Sequence, residues 1–111
     1  MTIGYEDFAK VDIRVGTVVS ATPNAAARKP SYVLEVDFGP ELGVRKSSAQ
    51  LTELYASAEL VGRQVSAVVN FPPKQIAKTV SEVLVLSFPD AKGRVVLVGP
   101  DRPVPDGGRL F

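Results

Sequence analysis

Residues 68–82 read VVNFPPKQIAKTVSE. An apolar run stops at Asn70 and Phe71, two prolines follow, and Lys74 and Lys78 stand just beyond them. These residue types suit binding. Lysines pair with phosphate, an asparagine offers a donor and an acceptor to a base or sugar, and an exposed phenylalanine is a stacking platform worth about 1–3 kcal/mol per base. Pro72 and Pro73 lack an N–H and stiffen the loop that holds them, so a ligand there orders little that is not already ordered. The same stretch also reads as a plain turn, in which prolines end a strand and lysines sit in water.

Other cations pose the same choice. Arg28 and Lys29 are adjacent in TPNAAARKPS (22–31), a stretch punctuated by two prolines and an asparagine and hence a loop. Arg45 and Lys46 lead into Ser47 and Ser48. Neighbours on a strand point to opposite faces, so only one of Arg45 and Lys46 can face a given groove. The two serines either bond phosphate and 2′-OH groups or cap the turn that follows. The Ser81 hydroxyl has the same two uses, a ligand contact or a local turn bond. Glu82 repels phosphate and is better placed to orient Lys74 or Lys78. Tyr32 and Phe38 are further aromatic candidates, with Phe38 reading as core because it ends a strand before a glycine.

Composition narrows the chemistry further. The chain has 111 residues, 45% of them hydrophobic, with no cysteine, histidine or tryptophan. Disulfides, thiolate zinc sites, imidazole bases and Ser-His-Asp triads are therefore out of reach. None of the twelve Asp and Glu residues forms a pair whose proximity the sequence establishes. No glycine-rich phosphate loop is present. The expectation is a binding protein with no catalytic residues, metal or cofactor. Thirteen Lys and Arg against twelve Asp and Glu leave a net charge of +1, so any basic patch must come from uneven distribution. MTIGYEDFAKVD does not read as a signal peptide, and no apolar run nears the roughly 18 residues needed to insert in a membrane. A single cytoplasmic domain over residues 1–111 is expected.

Strands must position these side chains. VDIRVGTVVSA (11–21) alternates, with Val11, Ile13, Val15 and Thr17 on one face and Gly16 marking a bulge or bend. YVLEVDF (32–38) and VRKSSAQ (44–50) form a hairpin across GPELG. LTELYASAELVG (51–62) carries one or two helical turns ended by Gly62. RQVSAVVNF (63–71), SEVLVLSF (81–88) and RVVLVG (94–99) are further strands, with a turn at PDAKG. A helical turn near residues 7–11 precedes them, and the proline-rich 100–111 lacks regular structure. About six strands with a helical insert between the third and fourth suggest a small closed barrel. A five-stranded Greek-key barrel of the oligonucleotide/oligosaccharide-binding (OB) type, with N- and C-terminal extensions, is expected. An SH3-like barrel is the structural alternative.

VDIRVGTVVSA, ARKPSYVLEVDFG, KSSAQLTELY, GRQVSAVVNFPPKQIAKTVSEVLVL and VVLVGPDRPVPDGG follow one another over roughly residues 5–110. In that order they resemble the tRNA-binding domain family, an all-β OB-fold module found free in bacteria and appended to some aminoacyl-tRNA synthetases. ARKPSY, KSSAQ and NFPPKQI are similar to its CsaA-type branch, small bacterial homodimers described as export-related chaperones. The resemblance implies binding of tRNA or tRNA-like RNA, capture of unfolded or presecretory polypeptides, and cooperation with the SecA export motor. It turns Arg28, Lys29, Arg45, Lys46, Asn70, Lys74, Lys78 and Ser81 into an expected RNA surface. Phe71, Pro72, Pro73 and Ile76 become an expected apolar surface for peptide. Two positions depart from the family pattern. Ala77 stands where relatives often carry glycine, and Leu84 stands where appended modules carry methionine.

Overall fold

A computed structural model describes residues 1–111. In chain order the elements are α1 (Tyr5–Ala9), β1 (Ile13–Pro23), β2 (Tyr32–Asp37), β3 (Val44–Ala49), α2 (Ser57–Leu60), β4 (Gln64–Val68), β5 (Lys74–Ile76), β6 (Thr79–Ser81), β7 (Leu84–Val85), β8 (Ser87–Pro89) and β9 (Val95–Leu97). An antiparallel sheet in the order β3-β2-β1-β4-β7 curls into a nearly closed five-stranded barrel. Residues 81–83 meet β3 across the seam. The Glu82 and Val83 amides donate to the Lys46 carbonyl at 2.8 and 3.4 Å, and the Lys46 amide donates to the Glu82 carboxylate at 3.0 Å. This is the expected OB barrel, and the insert α2 seals it with the fully buried Leu60.

β1 is long because it serves two partners: Ile13–Thr17 pair with β4, and Thr17–Pro23 pair with β2. The register with β2 shifts between Val18 and Ser20, leaving exposed Val19 as the extra residue of a bulge. The bend expected at Gly16 thus lies three residues later. Gly16 serves instead as a close approach, since a Cβ there would sit 2.6 Å from Val36 Cγ1 and 2.8 Å from Phe38 Cδ1. The core face of β1 is also the opposite of the one the alternation suggests. Val18 enters the core with Leu34, Val36, Phe38, Leu51 and Val65, while Ile13 and Val15 turn toward the C-terminal segment.

That segment is irregular, as expected, yet firmly seated. Gly107 N donates to Val15 O at 2.8 Å, Val15 N to Gly108 O at 3.1 Å, and Leu110 N to Ile13 O at 2.8 Å. It fills the edge of β1 that β2 leaves unpaired. β4 is buried on both faces rather than one, because Ser66 also accepts from Leu86 and donates to Val98. The apolar stretch 81–88 is divided among three elements. Ser81 pairs in the β5–β6 hairpin, Leu84–Val85 pair with β4, and Ser87–Pro89 pair with β9. Pattern shows that such a segment is strand-like, but not that its partner changes twice.

The β5–β6 hairpin is absent from the sequence-based reading, in which residues 72–80 are a loop. Its turn is only two residues, Ala77 and Lys78, between the paired Ile76 and Thr79. Ala77 has φ +53°, the one non-glycine residue with positive φ, in a region that favours glycine. No helix is long and apolar enough to cross a membrane.

Candidate nucleic-acid interface

The loop over residues 24–31 is held at its neck by Asn24 N donating to Ser31 O at 2.9 Å and tightened by Ala27 N donating to Asn24 O at 3.2 Å. Its basic tip faces the β5–β6 hairpin. Between them lies a cleft of about 800 Å³ lined by Arg28 and Lys29 on one wall, Lys74 and Gln75 on the other, and Ser48 and Gln50 from the end of β3. No carboxylate lines it. A second cleft of about 400 Å³ continues past Lys74 and Ile76 to Phe71, Pro72 and Leu84. Ser48, Lys74 and Ile76 line both, so the two form one groove with a basic half and an apolar half. Arg28, Lys29 and Lys74 from the RNA candidates and Phe71, Pro72 and Ile76 from the peptide candidates therefore share a groove instead of occupying separate surfaces.

The remaining candidates divide by what their side chains already bond. Lys46 lies on the same strand face as Ser48 and is exposed. Arg45 lies on the other face, where its Nε donates to Leu42 O at 3.0 Å. Lys78 is exposed at the hairpin turn and Pro73 is exposed before β5, and neither lines the groove. Asn70 works as a clamp: its Nδ2 donates to Lys10 O at 2.7 Å and its Oδ1 accepts from Asp12 N at 2.9 Å, tying the end of β4 to the N-terminal segment. Ser81 Oγ accepts from Ser48 N at 3.1 Å and donates to Val83 O at 3.3 Å, so its hydroxyl helps to close the barrel. Glu82 is bonded to the Lys46 amide and makes no ion pair with Lys74 or Lys78.

Three ion pairs are present, Arg14–Asp12 at 2.6 Å, Arg109–Asp12 at 3.5 Å and Arg94–Asp90 at 2.7 Å. None uses a groove cation. A near-neutral total thus conceals a basic cleft whose cations make no ion pair. Away from the groove, the hydrogen bond to Asp12 raises the Arg14 pKa, and the amide of Arg94 holds the Asp90 carboxyl below its ordinary value. Among the aromatics, Phe38 is buried as expected. Tyr32 is only 9% exposed and its hydroxyl donates to Tyr55 O at 2.8 Å, whereas Phe71 is 51% exposed beside the groove.

Gln50, Gln75 and Ser31 do not stand out in the sequence. Gln75 Nε2 donates to Ala77 O at 2.7 Å, and Gln50 is exposed. The only sequence signal for them is position: neutral polar residues next to strand ends, a common arrangement without a ligand.

A family model for "Putative tRNA binding domain" matches residues 13–109. Among curated proteins, the methionine--tRNA ligase of Flavobacterium johnsoniae is 36% identical over 108 residues, covering 97% of this chain and 15% of the ligase. The chain thus spans a small part of the curated relatives it matches. Among solved structures, the chaperone CsaA of Bacillus anthracis is 47% identical with a TM-score of 0.92, covering 100% of both chains. The CsaA chaperone protein of Picrophilus torridus is 45% identical with a TM-score of 0.92, covering 99% of this chain and 100% of the other.

Proposed function

The chain belongs to the tRNA-binding domain family and is of the CsaA type, and from that premise we propose that it binds tRNA or tRNA-like RNA in the groove between the 24–31 loop and the β5–β6 hairpin. The observation that carries this reading is the meeting of Arg28, Lys29 and Lys74 around one cleft with no carboxylate. Phosphate contacts of this kind supply affinity and register without needing a reacting group. Lys46 and Lys78 extend the positive field on either side. The function is binding without chemistry, by a single cytoplasmic domain of residues 1–111, with no cofactor.

A second activity, capture of unfolded or presecretory polypeptides, is favoured by the apolar half of the groove and by the chaperone neighbours. Phe71, Pro72, Ile76 and Leu84 give an extended peptide an exposed apolar wall. Delivery of such a client to the SecA motor belongs to this activity. We further assign a homodimer, formed through the face where Tyr5, Leu110 and Phe111 expose apolar side chains around a cleft of about 380 Å³.

Titration of labelled bulk tRNA, followed by anisotropy at several salt concentrations, tests the main reading. With about four phosphates engaged, log K falls against log salt with a slope of roughly −3 to −4. Absence of binding at low salt would overturn the RNA function and leave polypeptide capture in front. Peptide binding should vary far less with salt and show a negative heat-capacity change.

A further inference from the structure

We propose that the chain carries a second binding site, apart from the groove, for a small phosphorylated sugar. A cleft of about 570 Å³ opens between residues 62–64 and the strap formed by residues 99–103. It lies at the Gln64 end of β4, whereas the groove begins beyond the Val68 end, and it shares no lining residue with either half of the groove. Arg63 lines one wall and Arg102 the other, with Asp101 next to Arg102 in the chain.

The two arginines are held in place but not spent. Four other guanidinium groups are committed, Arg14 to Asp12, Arg45 to Leu42 O, Arg94 to Asp90 and Arg109 to Ala9 O. Arg63 and Arg102 are exposed and make no ion pair. The Arg63 guanidinium lies over the Tyr55 ring, 5.1 Å from its centroid. Tyr55 is itself fixed, because its hydroxyl accepts from Leu97 N at 3.0 Å and its carbonyl accepts from the Tyr32 hydroxyl at 2.8 Å. The strap that carries Arg102 is tied down at Val104, whose amide donates to Gln64 Oε1 at 3.1 Å and whose carbonyl accepts from Gln64 Nε2 at 2.7 Å. Pro100 and Pro103 stiffen it. Gly99 lets it approach β4, since a Cβ there would sit 2.6 Å from Gln64 O. Two guanidinium forks thus line one cleft with little left to order when an anion arrives.

The lining selects the ligand. A guanidinium binds phosphate through paired N–H donors, and a terminal phosphate carries a charge of about −1.5 to −2 at neutral pH, enough to engage both arginines. The Asp101 carboxylate repels an anion but accepts from hydroxyl groups. Because it lines the same cleft and pairs with neither arginine, it favours a ligand with phosphate at one end and hydroxyls at the other over a bare anion. Apart from prolines, Leu97 is the one apolar side chain in the lining, and no aromatic ring lines it, so a base has nothing to stack on. The sugar phosphate is therefore the part that is read, and the cleft lies within the roughly 300–1,000 Å³ range of small-ligand sites.

Calorimetric titration of the full chain with ribose 5-phosphate, and separately with inorganic phosphate, tests the site. Ribose 5-phosphate should bind once per chain and roughly tenfold tighter than inorganic phosphate, through its hydroxyl bonds to Asp101. The double change Arg63→Ala, Arg102→Ala should weaken it roughly tenfold or more, with the melting temperature and the tRNA affinity hardly moved. Asp101→Ala should bring ribose 5-phosphate down to the affinity of inorganic phosphate without weakening the latter. Replacing Arg28, Lys29 and Lys74 of the groove by alanine should leave ribose 5-phosphate binding intact. No heat at millimolar ribose 5-phosphate, or binding that survives the double change, overturns the proposal whether or not the groove takes tRNA. Equal affinity for the two probes in the parent protein reduces the cleft to a bare anion site and overturns the sugar assignment. Loss of tRNA affinity in the double variant, with no ribose 5-phosphate binding in the parent, assigns the arginines to an RNA backbone and also overturns it.

Discussion

In the clasp that joins the two ends of the chain, Arg14 and Arg109 both reach Asp12, Arg14 donates to Gly107 O at 3.0 Å, and Arg109 donates to Ala9 O at 2.8 Å. In the groove, Arg28, Lys29 and Lys74 have no carboxylate partner and face one another across open space. Both regions are built around basic side chains. The clasp spends its cations on its own backbone and carboxylate, so it holds the terminal segments to β1. The groove keeps its cations unneutralised, which is the condition for attracting a polyanion. A cation's role here follows from its company, and the net charge of +1 reveals neither region.

Substitutions can break this contrast from either side. The largest effect is expected from the triple change Arg28→Ala, Lys29→Ala, Lys74→Ala. Each cation is expected to hold a phosphate as a solvent-exposed ion pair worth up to about 1 kcal/mol, so tRNA affinity should fall by up to roughly 100-fold. The salt slope should become shallower by about one for each cation replaced. Thermal denaturation should hardly move, because none of the three takes part in an ion pair.

Asp12→Ala should give the reverse pattern. It leaves the mostly buried guanidinium of Arg14 without its carboxylate and removes the Arg109 ion pair, while Arg109 keeps its bond to Ala9 O. A loss of about 1–3 kcal/mol is expected, visible as a lower melting temperature or urea midpoint, with the affinity for tRNA preserved. Loss of tRNA binding in a folded Asp12→Ala protein would mean that the clasp and the groove are coupled.

A smaller effect concerns the wall of the groove itself. Ala77 holds φ +53° in the hairpin turn, where a side chain costs about 1 kcal/mol relative to glycine. Ala77→Gly removes that strain but gives the unfolded chain more freedom, so a net gain of roughly 0.5 kcal/mol is expected. Denaturant melts resolve the sign, and a destabilised Ala77→Gly would show that the turn is not strained.

Much of this contrast is visible in the sequence, though unevenly. Phe71 stands out as an exposed aromatic because prolines follow it, and Arg28 and Lys29 because their loop is marked by prolines and an asparagine. Asn70 and Ser81 carry the same polar promise in sequence, yet their hydrogen bonds go to Lys10, Asp12, Ser48 and Val83. A polar side chain next to a strand end is equally suited to a ligand and to a neighbouring backbone, and only the distances choose. The hairpin at 74–81 escapes notice for a similar reason. Its strands are three residues each and its turn lacks the glycine that usually signals one.

By itself the sequence determined which chemistries are out of reach and where the long strands of the barrel lie. Without histidine or cysteine, no imidazole or thiolate can act, and the alternation of apolar residues requires strands whatever their neighbours. The tertiary structure alone decided which face of β1 meets the core, where that strand bends, and which cations share a cleft. The physical reason is the same in each case. Alternation defines two faces of a strand but not the partner that covers each, and a local pattern carries no information about a contact made only when the barrel closes. Lys74 stands opposite Arg28 and Lys29 because Ser48 and Lys46 bind residues 81–83 across the seam, bringing the hairpin to the loop.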